Sequence, residues 1–205
     1  MTGDERAGGL RERKRTAAMY RIQSAALDLF EQRGFDAVTV EEIAEASVVS
    51  PSSIYRYFGT KEQVIIWDEF DPLLGDHIAA AMTDGVPLEG FRRELMATLD
   101  SFTPEDEQRT ARRMRLIMAS PSLEAATVGQ MYAASEIMGE ALARRLGRPA
   151  VDLEVQVFSH AFIGGLLGAL HHWHGTGFAD PLREVFERCF VIFEEGLDVV
   201  VAPEA

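Results

Sequence analysis

The chain has 205 residues and a mass of 22.7 kDa, with 47% hydrophobic and 26% charged residues and a formal net charge of −13. These values fit one or two globular domains and exclude collagen-like, disordered and coiled-coil compositions. A single cysteine, Cys189, excludes an internal disulfide, and the charged residues Asp4, Glu5, Arg6, Arg11 and Arg13 leave no apolar stretch for a signal peptide among them.

The acidic total hides an asymmetry: residues 1–65 carry 9 Lys+Arg against 10 Asp+Glu, whereas residues 66–205 carry 11 against 23. Residues 1–15 read as a flexible basic arm, because Arg11, Arg13, Lys14 and Arg15 crowd ahead of the first helical pattern. Such an arm is either a solvated tail or a contact for a polyanion. Met19, Ile22, Ala26, Leu29 and Phe30 then recur at the spacing of an amphipathic helix, which Gly34 stops. Thr39-Val40-Glu41-Glu42 is a capping box opening a short helix with Val40, Ile43 and Ala44 inward. Ser50-Pro51 starts another brief helix, Pro51 to Phe58, ended by Gly59. Thr60-Lys61-Glu62-Gln63 is a second capping box, and its helix is expected to run on until Asp71-Pro72 breaks or bends it. Cap-plus-proline starts recur at Thr103-Pro104, Ser120-Pro121 and Asp180-Pro181, and Gly147-Arg148-Pro149 separates two helices. About nine helices and no strand follow, an all-α fold with domains at 16–65 and 66–205. The longest apolar run, Ala161 to Leu170, falls well short of the roughly twenty residues of a membrane span, so a cytoplasmic chain with no membrane partner is expected.

The helices at about 39–46 and 51–57, joined by Ser47-Val48-Val49-Ser50, have the lengths of a helix-turn-helix unit, whose later helix enters the major groove. Ile54 and Phe58 face the core with Val49. Ser52, Ser53, Tyr55 and Arg56 lie on other faces, where they offer hydroxyls and a guanidinium to base edges and phosphates. Thr39, Ser50, Tyr57 and Lys61 are placed for phosphate oxygens. Tyr55 and Tyr57 also suit packing against the first helix, and Ser50 suits capping. Arg56 alone can read guanine bidentately.

From Ala25-Ala26-Leu27-Asp28-Leu29-Phe30 and Gly34-Phe35, through Thr39-Val40-Glu41-Glu42-Ile43-Ala44, to Ser50-Pro51-Ser52-Ser53-Ile54-Tyr55-Arg56-Tyr57-Phe58 and Thr60-Lys61-Glu62, the sequence resembles the TetR family of bacterial one-component repressors. The resemblance covers residues 16–65. It departs at Val48, where the family commonly has glycine and where a β-branched residue dislikes positive φ. The resemblance implies a homodimeric repressor of a palindromic operator, cytoplasmic and nucleoid-associated when DNA-bound, and released by a small-molecule effector. It implies groove contacts at Pro51, Ser52, Ser53, Tyr55 and Arg56, phosphate contacts at Thr39, Ser50, Tyr57 and Lys61, and a minor-groove arm at Arg13, Lys14 and Arg15.

Beyond residue 66 the motifs are weaker. Ala161, Gly164, Gly165 and Gly168 form a small-residue patch that lets another backbone approach. The last helix carries Leu182, Val185, Phe186, Cys189, Phe190, Ile192 and Phe193, a broad apolar surface. Either these two helices make an intramolecular core or, as the resemblance implies, a dimeric four-helix bundle, with Ala161, Gly164, Gly165, Gly168, Val185, Phe186, Cys189 and Phe193 at the interface. Met114 and Met118, Met131 and Met138, with Phe91, Leu95, Leu99, Phe102, Phe158 and Phe162, either fill a core or line an apolar ligand pocket. Arg109, Arg112, Arg113 and Arg115 could grip an anionic head group, while Arg144, Arg145 and Arg148 suit a helix C-terminus. Some ligands of the family are acyl thioesters, so a hydrophobic, acyl-type effector is among the expectations. His171, His172 and His174 invite a metal, but His171 and His174 share one helical face only with His160, and no Cys or carboxylate at helical spacing joins these three as a fourth ligand, so no metal or other cofactor is expected. Cys189 reads as core. Nothing resembles a phosphate loop or a catalytic triad, which leaves a DNA-binding regulator or, alternatively, a helical interaction module that does not use DNA.

Overall fold

The computed structural model describes the backbone of residues 3–68 and 87–196, with side chains from residue 14 onward. Among these residues there are nine helices and no strand: α1 (Gly3–Arg33), α2 (Val40–Ala46), α3 (Pro51–Phe58), α4 (Lys61–Ile66), α5 (Pro87–Asp100), α6 (Pro104–Ala119), α7 (Pro121–Leu146), α8 (Leu153–Gly175) and α9 (Leu182–Glu195). The chain divides into two compact units, Met1–Asp71 with Arg115–Thr127, and Pro72–Met114 with Val128–Ala205.

In the first unit α1 packs on α2 and α4, α2 on α3, and α3 on α4. The core is built from Met19, Ile22, Ala26, Leu27 and Phe30 of α1, Ile43 and Ala44 of α2, Ile54 and Phe58 of α3, and Val64, Ile65 and Ile66 of α4. Leu27 takes the fully buried place that the stripe gave to Leu29, which is half-buried. A second difference concerns the leader. Residues 3–15, expected as a flexible arm, are helical and continuous with α1. Their Arg, Glu, Lys and Leu are good helix formers, no proline interrupts them, and a helix already nucleated by packing adds turns at little cost.

The turn from α2 to α3 is a Schellman motif. Val49 N–H donates to the Ala44 carbonyl (2.9 Å) and Val48 N–H to that of Glu45 (3.2 Å), with Ser47 as the C-cap. That pattern requires a left-handed residue at the position of Val48, which sits at φ 57 with 89% of its surface exposed. Of the two outcomes open from the sequence, a turn that avoids positive φ or one that carries strain at Val48, the structure has the strained one.

In the second unit α5 and α8 both pack on α9. Phe91, Leu99, Met138, Phe162, Trp173 and Phe190 belong to one buried cluster. Arg92 of α5 bridges to Glu187 and Glu194 of α9, the latter at 2.9 Å. Gly165 of α8 lies against the Phe193 ring of α9, and a Cβ there would collide with it. The start of α9 departs from the cap-plus-proline expectation. Asp180 does not cap it; its backbone carbonyl accepts from Trp173 Nε1 (2.8 Å), and the Glu107 carboxylate of α6 accepts from Leu182 N–H (2.7 Å). Helix α8, at 23 residues with a mean hydropathy of 1.4 over its most apolar window, is long and apolar enough to cross a membrane, which the ten-residue run concealed. It buries Val155, Phe162, Ile163, Ala169 and Trp173 within its unit.

Val48→Gly relieves the left-handed strain, less glycine's larger unfolded entropy, and should stabilise the first unit by about 0.5–1 kcal/mol. A thermal or urea midpoint that falls in this variant contradicts the strain.

Candidate nucleic-acid interface

Eight residues cannot hold a helix in water by themselves, so α3 depends on its ends and its buried side. Ser50 caps it: its Oγ accepts from Ser53 N–H (3.2 Å) and lies 2.9 Å from the hydroxyls of both Ser52 and Ser53. Pro51 holds the first helical position, and Gly59, at φ 80, ends the helix. Ile54 and Phe58, four apart, are buried, so the opposite side is fixed by geometry. Ser52, Tyr55 and Arg56 are exposed there, Tyr55 by 52%, and Ser53 and Tyr57 are half-buried. The Arg56 guanidinium sits 4.9 Å from the Tyr57 ring centroid, with Nη2 3.4 Å from Ser53 Oγ. Aromatic stacking uses none of its donors, and the long bond to Ser53 leaves the others open.

The capping box at α2 is complete. Glu42 N–H donates to Thr39 Oγ1 (3.2 Å), and Thr39 N–H donates to Glu42 Oε2 (2.8 Å). Arg33 of α1 adds an ion pair to Glu42 at 2.7 Å. The Thr39 backbone bond, then the Arg33 and Thr39 side chains, hold the Glu42 carboxyl down from 4.5 to about 2. Thr39 Oγ1 also lies 3.0 Å from Glu42 Oε2, so its first engagement is the cap.

Lys61 is placed differently from a free phosphate donor. Its Nζ donates to the carbonyls of Phe35 (2.8 Å) and Val38 (3.1 Å), and it lies 4.1 Å from the Phe35 ring centroid. It ties the α1–α2 connection to the start of α4. Lys14 and Arg15 are exposed on α1, and the Arg13 side chain lies outside the described residues.

In the second unit Phe91, Leu99, Met138 and Phe162 are in the buried cluster, with Leu95, Phe102, Met131 and Phe158 packed at its margin. Met114 is buried outside that cluster, and Met118 belongs to the first unit. A 470 Å³ apolar hollow instead uses Phe158 and Phe162 with Leu88, Leu153, Glu154, Val157, Ala161 and Phe193. The four-residue step Leu153, Val157, Ala161 was legible in the sequence as the signal for it. A second hollow of 610 Å³ runs along α8 and α9 past Gly165, Gly168, Val185, Cys189, Ile192 and Phe193. Of the interface candidates, Val185, Phe186 and Cys189 are buried within their own unit, whereas Ala161, Gly164 and Gly168 are exposed. Exposed apolar neighbours are Val157 and Val191, which the sequence reading passed over, and Ile192, which it put on the apolar surface of the last helix but not among the interface residues.

Arg109 pairs with Asp106 on its own helix, and Arg148 with Asp152 and Glu154 at 3.0 Å. His160 Nδ1 lies 3.0 Å from the Gln156 carbonyl and Nε2 3.5 Å from Glu136. Among the described residues no three metal-binding side chains converge. Burial pushes the Cys189 thiol up, and its Sγ lies 3.5 Å from the Gly165 carbonyl.

A capped eight-residue helix, held behind a tight turn and showing hydroxyls and a guanidinium to solvent, is the reading element of a helix-turn-helix DNA-binding protein. Residues 22–66 match the family described as bacterial regulatory proteins, tetR family, and residues 86–198, more than half the chain, match the MftR C-terminal domain of that family. The chain belongs to the TetR family and is a DNA-binding transcription regulator, not an enzyme. A protein of Mycobacterium tuberculosis that carries the name mycofactocin biosynthesis transcriptional regulator MftR is 29% identical over 91% of this chain and 94% of its own. Among solved structures, the fatty acid degradation regulator FadR of Bacillus halodurans matches with a TM-score of 0.57 at 19% identity, over 88% of this chain and 96% of its own. The FadR of Thermus thermophilus, solved with lauroyl-CoA, matches at 0.52 and 22% identity, over 91% and 97%. Both show the shared fold.

Because Glu42 is depressed in the folded state, its stabilisation is complete above about pH 4.5 and is lost as pH falls toward 2. Glu42→Gln should be less stable than the natural chain at pH 7, and that gap should shrink by pH 3, as urea titrations at the two values will show.

Proposed function

We propose that the chain is an effector-controlled repressor that binds a palindromic operator as a homodimer. The observation that carries the reading is the exposed row Ser52, Tyr55 and Arg56 on a helix whose other side is locked by Ile54 and Phe58. Base-edge contacts fall to Ser52, Ser53, Tyr55 and Arg56, with Pro51 against the groove. Phosphate contacts fall to Ser50 and Tyr57, to the helix N-termini, and to Thr39 and Lys61 only with the bonds left over from their structural partners. Lys14 and Arg15, exposed on α1, extend this together with Arg13. Family membership decides against an interaction module that does not use DNA.

Dimerisation supplies the second reader. The exposed stripe Val157, Ala161, Gly164 and Gly168 of α8, together with Val191 and Ile192 of α9, is apolar and closely approachable, and it borders the 610 Å³ hollow. A second copy covering that side places two α3 helices in successive major grooves. The regulator then works where its operator lies, on the nucleoid DNA of the cytoplasm.

Duplexes selected from random DNA by the chain should be inverted repeats with half-site centres about 34–36 Å apart, and binding should weaken steeply with salt. Arg56→Ala should lose about 1–3 kcal/mol of affinity and relax one base position in each half-site. Selection of non-palindromic duplexes, or an Arg56→Ala footprint unchanged in sequence and affinity, contradicts the reading.

The effector we infer is a small hydrophobic, acyl-type molecule. The 470 Å³ hollow is walled by Leu88, Val157, Phe158 and Phe162, and a relative of the same fold was solved with lauroyl-CoA. Medium-chain acyl-CoA should raise the thermal midpoint and release the selected operator. Stabilisation by cationic compounds alone contradicts this class.

A further inference from the structure

The 470 Å³ hollow assigned to the effector is not a closed chamber. Its floor is firm: Phe162 is buried, and Phe158 stacks on it with ring centroids 6.0 Å apart. One wall is bare. Leu153 and Val157 of α8, which line the hollow, are 72% and 58% exposed, and Ala161 is exposed beside them. A site that holds a small molecule usually buries roughly 70–90% of it, which a hollow with one wall in solvent does not reach. The bare wall is also the stripe proposed above to meet a second copy. Val157 and Ala161 belong to both, and Ala161 and Phe193 line the 610 Å³ hollow as well. One turn on, α8 presents Gly164 and then Gly168, both exposed, where an added Cβ meets nothing within 4 Å. With no side chain standing off the helix there, a second helix can come to the short end of the usual spacing of about 8–10 Å. In the shallow crossing of a four-helix bundle it then runs beside α8 for several turns, over Val157 as well as the glycines.

We infer that the effector hollow is completed by the second copy, so that each site lies between two subunits and holds its ligand only in the dimer. The inference rests on the effector and homodimer readings given above and adds where the two meet. The twofold axis of such a pair generates two equivalent sites, one on each α8. An apolar chain in the hollow then touches both copies, and its binding is linked to their association. The effector therefore tightens the dimer. Release from the operator comes from a changed angle between two readers that stay joined, not from separation of the subunits.

Sedimentation with lauroyl-CoA tests the link. In the natural chain the dimer dissociation constant should fall by about tenfold or more at saturating lauroyl-CoA. Gly164→Glu puts a charge on the stripe outside the hollow, in open space and with a better helix former, so the subunit should keep its fold. The variant should be monomeric, with the natural helix content by circular dichroism. It should bind lauroyl-CoA about tenfold or more weakly, since the competent form is the dimer. Hydroxyl-radical labelling gives a readout that uses no acyl compound. Leu88, Leu153 and Val157 should be labelled about threefold less in the natural dimer than in Gly164→Glu, as residues under a packed interface are. If that variant fails to fold, the natural chain diluted to monomer takes its place. Four outcomes overturn the proposal: a Gly164→Glu monomer that binds lauroyl-CoA as tightly as the natural dimer, a Gly164→Glu chain that stays dimeric, a dimer that binds lauroyl-CoA without tightening, or a dimer whose Leu88 and Leu153 are labelled like the monomer's. A natural chain that binds no lauroyl-CoA refutes the acyl reading alone, because labelling still decides whether the second copy closes the hollow. A natural chain that is monomeric at every concentration overturns the homodimer reading and this inference together.

Discussion

The burial of Ile54 and Phe58 on one side of an eight-residue helix is the constraint from which the rest of the reader follows. A helix this short has no stability of its own, so its existence and its orientation are one event: both come from the core of the first unit. Four-residue spacing puts both anchors on a single face, and every residue between them is then committed to a direction. The caps at Ser50 and Gly59 set where the helix begins and ends, and the Schellman turn at Val48 sets the angle at which it leaves α2. The recognition chemistry proposed for Ser52, Tyr55 and Arg56 can vary because none of these side chains is among the buried anchors of the helix.

Features whose physics is local were legible in the sequence. The Thr39–Glu42 box, the Ser50-Pro51 start and the glycine stops involve partners three or four residues apart, and each is found as read. At Val48 the sequence marked the position of the turn but left open whether its φ would be positive, as it is. What escaped was decided at a distance. Where α4 ends, a glutamine 41 positions before Val64 donates to its carbonyl, and α9 is capped by a carboxylate 75 positions before Leu182. No periodicity in either helix announces such a partner. Residue type was also a poor guide to which apolar surface is covered within the unit. Val185, Phe186 and Cys189 look no more buried in the sequence than Val191 and Ile192, yet the first three are interior and the last two are not.

Charge is divided in a way that suits this arrangement. The second unit carries most of the negative excess and is repelled by a polyanion, whereas residues 1–65 are nearly neutral. Approach to a duplex is therefore biased to one end of the chain before any contact forms. Lys61, held by two carbonyls and an aromatic ring, contributes to the shape of that end more than to its attraction. Attachment to the DNA backbone then leans on oriented N–H groups and hydroxyls, whose strength depends on placement rather than on net charge.

The carboxylate that caps α9 ties the last helix to one made long before it. A nascent chain can wind residues 182–195 as soon as they emerge, with Val185 N–H closing the first turn on the Pro181 carbonyl, but the Leu182 N–H has its carboxylate only once α6 offers Glu107. The end cap of α9 is thus supplied from outside the helix, by a residue placed earlier in the chain. A fragment starting after residue 107 would carry every apolar side chain of α8 and α9 and still lack the group that closes the helix.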